Sequence, residues 1–334
     1  MSEHVLQIRN LNKNFYSKKK LFSKPIPPVK AVMDVSLEVK KGETLSIVGE
    51  SGCGKTTLGR CIVRGIKADS GQVLYQVNEH EQVDFLKVNK QDYKRLRKDI
   101  QMIFQDPYSS LDPRMTVFDI IREPLKANFK LSKKEIEEKV RHIAQLVGLN
   151  VNYLRRYPHA FSGGQRQRIG IARALVTRPD IVVCDEAVSA LDVSIQAQII
   201  NLLKDLQQEL GITYIFIAHD LSVVEHISDR VAVMYLGNMI EIANTDDLFF
   251  SPKHPYTEAL LSAVPKADPS QKMKRIILEG EVPSPINLPS GCLFHPRCRY
   301  CQDVCRQEIP KLREIGKEHQ VACHFADALD LKGV

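Results

Sequence analysis

The stretch Thr44-Leu-Ser-Ile-Val48 runs into Gly49-Glu50-Ser51-Gly52-Cys53-Gly54-Lys55-Thr56 and continues as Thr57-Leu-Gly-Arg-Cys-Ile-Val63. An apolar strand, a glycine loop and a helix follow one another without interruption. The middle segment fits G-x-x-x-x-G-K-[ST], the loop that cradles phosphate. Its glycines let the backbone curl until successive N–H groups face phosphate oxygens, and the N-terminus of the helix adds a favourable dipole. In this pattern Lys55 reaches the β- and γ-phosphates and the Thr56 hydroxyl takes Mg²⁺. The implied ligand is a nucleoside triphosphate. The loop by itself leaves open what the energy is used for.

Further along, Ile103-Phe104-Gln105-Asp106-Pro107 precedes Phe161-Ser162-Gly163-Gly164-Gln165-Arg166-Gln167-Arg168, which opens the helical run Ile169-Gly-Ile-Ala-Arg-Ala-Leu175. An apolar strand, Ile181-Val-Val-Cys184, ends in Asp185-Glu186; Ser189-Ala190-Leu191-Asp192 follows, and Thr213-Tyr-Ile-Phe-Ile-Ala218 leads to His219. Phosphoryl transfer to water needs charge neutralisation, an oriented water and positioning. Asp185, at the end of a strand, suits the outer coordination shell of Mg²⁺. Glu186, one residue on, projects differently and suits activation of the water. Two acids after a strand could be a solvated loop, but four apolar residues directly before them argue otherwise. Ser162 can cap its helix, leaving a hydroxyl and N–H groups able to meet a γ-phosphate. Taken singly, Gln105 reads as a solvated amide and His219 as a structural histidine.

As an ordered set, these segments resemble the ATP-binding-cassette (ABC) ATPases, whose signature is the Ser-Gly-Gly-Gln segment. The resemblance implies an α/β fold: a P-loop NTPase (RecA-like) ABC nucleotide-binding domain with a helical subdomain and a Cys-rich C-terminal extension. It implies that ATP lies on Gly49–Thr57, including Glu50, Ser51, Gly52, Cys53 and Gly54, and that Thr56, Gln105 and Asp185 serve Mg²⁺. Glu186 is then the catalytic base, His219 the switch histidine and Gln105 the mobile glutamine. Ser162, Gly163, Gly164 and Gln165 would contact ATP held by an opposite subunit in a head-to-tail dimer, with Asp192 coupling the two sites. Phe15, or adjacent Tyr16, occupies the adenine-stacking position; the alternative is a core aromatic at a strand end. One departure is Ala187-Val188, where most members of the family place a proline after the acidic pair. Neither residue takes part in the chemistry, so retained activity with a slightly altered turn is expected.

Composition narrows the class. At 334 residues and a net charge of +7, the chain can bury a large core and reads as two domains. No apolar run is long enough to span a bilayer. Ser2-Glu3-His4 leads straight into the alternating strand Val5-Leu-Gln-Ile-Arg9, so no secretory signal is read and a cytoplasmic protein is expected. The Lys18–Lys20 run with Lys24, Pro25, Pro27 and Pro28 is most simply a solvated loop, with anionic headgroups or an acidic partner as alternatives. No basic stripe interleaved with aromatics argues for nucleic acid. Residues 1–105 alternate strands and short helices. Residues 106–165 are helix-rich, with helices expected at Thr116–Arg122 and Lys133–Leu149; in the second, Ile136, Val140, Ile143, Leu146 and Val147 form a stripe. Helix–strand alternation returns at 166–250, with a hairpin turning at Gly237-Asn238.

From 252 the character changes. Pro252, Pro255, Pro265, Pro269, Pro283, Pro285 and Pro289 interrupt long elements, and Cys292, Cys298, Cys301, Cys305 and Cys323 fall close together. Clustered thiols in a reducing compartment favour metal over disulfides; the spacing suits either zinc or an iron–sulfur cluster. Cys53, Cys61 and Cys184 read as small core or loop residues, although alkylation of Cys53 would threaten nucleotide binding. The segments His254-Pro-Tyr-Thr257, Pro283-x-Pro285, Gly291-Cys292, Arg297-Cys298 and Ala322-Cys323-His324 resemble the C-terminal extension of oligopeptide/dipeptide importer ATPases. That resemblance implies a [4Fe–4S] cluster on Cys292, Cys298, Cys305 and Cys323, leaving Cys301 spare, with zinc as the alternative. Nothing in the sequence links such a cluster to ATP, so a structural role is expected for it; a redox sensor is a third idea. The helix-like segment Cys301–Leu312 and His319 show no chemistry of their own. Residues 1–251 and 252–334 are the expected domains. The expected partners are a second ABC ATPase subunit or another copy of this chain, two transmembrane permeases and an extracytoplasmic peptide-binding protein, with the chain peripheral on the cytoplasmic face of the membrane. A nickel or metallophore importer of the same subfamily is the main rival, and a non-transport ABC protein the lesser one.

Overall fold

A computed structural model describes residues 4–16, 27–264 and 275–333. The Lys18–Lys20 run, Lys24, Pro25, Pro265 and Pro269 lie outside the described residues. In chain order the first half comprises β1 (His4–Phe15), β2 (Val29–Lys40), β3 (Thr44–Val48), α1 (Lys55–Ile62), β4 (Ser70–Asn78), β5 (Glu81–Asp84), α2 (Lys90–Leu96), β6 (Ile100–Ile103), α3 (Val117–Asn128) and α4 (Lys133–Leu146). The second half comprises α5 (Gly163–Leu175), β7 (Ile181–Asp185), α6 (Val193–Leu210), β8 (Thr213–Ile217), α7 (Leu221–Ile227), β9 (Arg230–Tyr235), β10 (Asn238–Asn244), α8 (Thr245–Phe250), α9 (Pro255–Leu261), α10 (Asp303–Gln307), β11 (Arg313–Gly316) and β12 (His319–Val321). The described residues form two compact units: those within 1–39, 45–86 and 219–334, and those within 40–44 and 87–218.

In the first unit, a sheet runs β2-β1-β4-β5, in which β1, β4 and β5 pair antiparallel, with Leu6 opposite Tyr75. Leu6 and Ile8 of β1 and Val73 and Tyr75 of β4 are buried, as alternation requires; Leu11 is buried past a register shift between Arg9 and Asn12. A second set of strands runs β11-β12-β10-β9-β3. There β3 pairs in parallel with β9, and β9, β10, β12 and β11 pair antiparallel. All five residues of β3 are buried, the polar Thr44 and Ser46 included, as suits a strand covered on both faces. The β9–β10 hairpin turns at Leu236-Gly237, one residue earlier than the sequence indicated. Both have positive φ, 44° and 85°, the hand that matches strand twist in a two-residue turn. Asn238 is already paired with Tyr235.

In the second unit, β6, β7 and β8 pair in parallel, Ile100 opposite Ile181 and Ile181 opposite Thr213. Helices α3, α4 and α5 pack on one another. α3 runs to Asn128, past the expected end at Arg122, with Pro124 inside it. Proline removes one backbone donor, but the buried face of Phe118, Ile120, Ile121 and Leu125 carries the helix through. α4 opens with a capping box of Ser132 and Glu135. It stops at Leu146 rather than Leu149. Gly148, at φ 72°, donates to Gln145 O, and Leu149 donates to Ala144 O, at 2.9 and 2.8 Å. This pair of bonds is the Schellman ending. Among the described residues, no helix is long and apolar enough to cross a membrane.

Candidate nucleotide site and cysteine-lined cavity

In the first unit the glycine loop joins β3 to α1, which begins at Lys55 rather than Thr57. Gly54 has φ 110°, and a Cβ there would stand 2.0 Å from Ala31 O; a Cβ on Gly49 would stand 2.2 Å from Met234 O. Only glycine lets the loop lie this close to neighbouring backbone. Lys55 is buried and spans the loop, its Nζ donating to Gly49 O at 2.7 Å and Glu50 O at 3.0 Å. Ser51 and Gly52 lie at the exposed turn of the loop. Cys53 is 5 % exposed. Burial raises its thiol pKa, against the opposing effect of Lys55, so the expected alkylation hazard is not that of a reactive thiolate. His219 and Gly49 line one cavity together with Leu221 and Leu260. Phe15 is 41 % and Tyr16 73 % exposed, so neither is a core aromatic; Lys13 Nζ lies 5.4 Å from the centre of the Phe15 ring.

In the second unit the acidic pair splits as its sequence position implied. Asp185 ends β7 fully buried, whereas Glu186 leaves the strand at φ 47°. Gln105 Nε2 donates to Glu186 Oε2 at 2.7 Å, joining two residues that the sequence separates by a whole helical segment. Ser162 caps α5: its Oγ accepts from Gln165 N–H, and Gln165 Oε1 accepts from Ser162 N–H. Asp192 caps α6, accepting from Ile195 N–H at 3.0 Å. That bond, with another from the Ser194 hydroxyl, holds its carboxyl below the usual range. The two helix starts are packed tightly, because a Cβ on Gly164 would lie 2.6 Å from Ile195 Cγ2. Ala187 and Val188 are buried in the turn after Glu186. Sequence reading missed Arg166 and Arg173. Arg166 lies over the Tyr108 ring at 4.2 Å, and Arg173 donates to Ser110 O at 2.6 Å. Together they fasten the loop after Gln105 to α5. Their spacing of seven residues, two helical turns, was the available signal.

The cysteine-rich region belongs to the first unit. Cys292, Cys298, Cys305 and Cys323 line one cavity with Phe294, and Cys301 is outside that lining. All are free thiols. Burial pushes Cys292 up to about 11 and Cys298 up to about 12, with the neighbouring cysteines adding to it. Gly291, at φ 62°, is required where a Cβ would lie 2.4 Å from Cys305 O. Among the described residues, no group of three His, Cys, Asp or Glu is placed to hold a metal ion. The expected helix at Cys301–Leu312 shrinks to α10, and β11 and β12 follow it. His319 also has a partner. Its Nε2 lies 2.8 Å from Oε1 of buried Glu241, which accepts from the N–H groups of Lys253 and His254 as well. Two contacts join residues of the C-terminal extension to the nucleotide loop. Arg297 forms a two-bond ion pair with Glu50, at 2.8 and 3.0 Å, and the Tyr256 hydroxyl accepts from Glu50 N–H at 2.8 Å.

The fold and these motifs define an ATP-binding cassette. The chain matches the ABC transporter family over residues 32–189. Solved relatives of that class include cbiO1 from Clostridium perfringens (29 % identity, TM-score 0.62, 74 % of this chain and 91 % of that one). The dimeric cassette MJ0796 is similar at 27 % identity and TM-score 0.62, over 72 % and 98 % of the two chains. The chain belongs to the ABC transporter family, as an ATP-binding protein. More particularly, residues 240–305 match the C-terminal region of oligopeptide/dipeptide transporters. It is 51 % identical to the oligopeptide transport ATP-binding protein AppF of Bacillus subtilis, over 97 % of this chain and 98 % of that one. It is 50 % identical to the dipeptide transport ATP-binding protein DppF of Haemophilus influenzae, over 97 % of each. To the oligopeptide transport ATP-binding protein OppF of Escherichia coli it is 51 % identical, again over 97 % of each.

Proposed function

We propose that this chain hydrolyses ATP to power uptake of di- and oligopeptides across the cytoplasmic membrane. The observation that carries the reading is its similarity, at about half of all positions and over nearly the whole length, to ATP-binding proteins named for oligopeptide and dipeptide transport. ATP lies on Gly49–Thr57, its adenine against Phe15 or Tyr16. Thr56, Gln105 and Asp185 would serve Mg²⁺, which would supply charge neutralisation at the transferred phosphoryl group. Glu186 takes the proton of the attacking water, Gln105 holds the Glu186 carboxylate, and His219 faces the γ-phosphate. Ser162, Gly163, Gly164 and Gln165 meet the nucleotide of a second subunit, and Asp192 couples the two sites. The second subunit is another ABC ATPase or a copy of this chain. Two permeases hold the pair at the cytoplasmic face, and an external binding protein delivers peptide. Residues 1–251 carry the nucleotide chemistry, with 106–165 as the helical subdomain, and 252 onward forms the extension.

Cys292, Cys298, Cys305 and Cys323 are the set that would supply four thiolates to a [4Fe–4S] cluster, although as they stand among the described residues no three are placed to hold a metal ion. Their common cavity, and the placing of Cys301 outside it, support that set over other combinations; zinc is the alternative occupant. Disruption of the gene, followed by uptake of labelled di- and tetrapeptides and of nickel, tests the transport reading. Loss of peptide uptake that wild-type protein restores, but Lys55→Ala protein does not, supports it. Normal peptide uptake with lost nickel uptake moves the chain to a metal importer.

A further inference from the structure

Glu50 is an unusual neighbour for a triphosphate. It sits in the phosphate-cradling loop, and its carboxylate carries the same sign of charge as the ligand. Three contacts fix it. Its carboxylate takes both arms of the Arg297 guanidinium, its N–H donates to the Tyr256 hydroxyl, and its carbonyl accepts from Lys55 Nζ at 3.0 Å. The Arg297 side chain is 7 % exposed and that of Glu50 28 %, so water screens this pair weakly. Tyr256 is fully buried against Tyr235 and Phe294, with ring centres 4.7 and 5.4 Å away. Phe294 in turn lines the cysteine cavity. A packed path therefore runs from the cysteine-rich region to the N–H of Glu50, the residue whose carbonyl the Lys55 ammonium grips.

We propose that Arg297 is a positioning residue for the nucleotide loop: it neutralises and orients Glu50, so that the C-terminal region completes the ATP site. The inference rests on the reading of Gly49–Thr56 as that site. Without Arg297, an uncompensated carboxylate stands in the phosphate loop, and Glu50 keeps only its backbone contacts to Tyr256 and Lys55. Electrostatic compensation makes a distinctive demand, namely that removing the Glu50 charge relieves the loss of Arg297. A merely structural arginine would show no such relief.

The test is equilibrium binding of MgATP, with steady-state ATPase rates, for the full chain and for Arg297→Ala, Arg297→Lys, Glu50→Gln, Arg297→Ala/Glu50→Gln and Lys55→Ala. Breaking a largely buried ion pair should weaken binding about ten-fold in Arg297→Ala and raise KM more than it changes kcat. The double variant should recover most of the affinity. Lysine keeps the charge but not the paired geometry, so Arg297→Lys should fall between. Parent affinity in Arg297→Ala, or no recovery in the double variant, overturns the inference. If Arg297→Ala does not fold, the lysine and double variants decide: parent affinity in the first, or a defect in the second equal to that of Lys55→Ala, overturns it. Undiminished binding in Lys55→Ala sinks the nucleotide-loop reading itself. Lost binding there with unchanged binding in the Arg297 variants sinks only the role of Arg297.

Discussion

Replacing Glu186 by glutamine isolates the chemistry from the geometry. Glu186 Oε2 accepts from Gln105 Nε2 at 2.7 Å, and a glutamine oxygen at the same place can accept the same bond. The left-handed backbone at φ 47° costs about 1–2 kcal/mol. It is held by Glu186 N–H to Ile217 O at 3.0 Å and by Ser189, whose N–H and hydroxyl both donate to Glu186 O at 3.2 and 3.0 Å. None of these bonds involves the carboxylate, so the substitution should leave fold and ATP binding in place. What disappears is the proposed proton acceptor. A positioned general base is worth roughly 10²–10⁴ in rate, or about 3–5 kcal/mol of barrier. Phosphate release under single-turnover conditions should fall by that factor, while ATP affinity stays within about three-fold, less than 1 kcal/mol. Size-exclusion chromatography with ATP should show a trapped dimer. Hydrolysis at the parent rate refutes the assignment of the base. Loss of ATP binding alongside turnover refutes the claim that the local geometry survives.

Other perturbations follow from the same packing. Gly164→Ala places a methyl 2.6 Å from Ile195 Cγ2, on a β-branched side chain with little room to turn. About 1–3 kcal/mol of destabilisation is expected in denaturant melts, together with reduced ATPase activity. Leu203→Ala removes a side chain of α6 with 0 % exposure and should cost about 2–5 kcal/mol by the same assay; a change under about 1 kcal/mol would mean that α6 is not packed as described. In anaerobically purified protein, Cys298→Ser should lower bound iron and sulfide, whereas Cys301→Ser, outside the cavity lining, should leave both unchanged. Equal loss in the two variants would refute the proposed ligand set.

The sequence by itself determined the local machinery. Gly49, Gly54, Lys55 and Thr56 are legible because the loop, the strand before it and the helix after it are adjacent in the chain, where pattern and periodicity act. The strand of Ile181–Asp185 and the cap at Ser162 are legible for the same reason. Element ends were less so. The α3 helix runs through Pro124 because its buried face outweighs one missing bond, and α4 stops at Gly148 because a left-handed glycine closes its last carbonyls. Tertiary structure alone decided what meets over long distances. Glu50 and Arg297 are 247 positions apart, and His319 and Glu241 are 78 apart. Each reads singly as an ordinary polar residue, because sequence periodicity records which face of an element is buried and not which distant charge lies against it. That the cysteine-rich region grips the phosphate loop is therefore visible only once β9, α9 and the aromatic cluster of Tyr235, Tyr256 and Phe294 are folded together, when burial makes an unpaired charge too costly and forces the pairing.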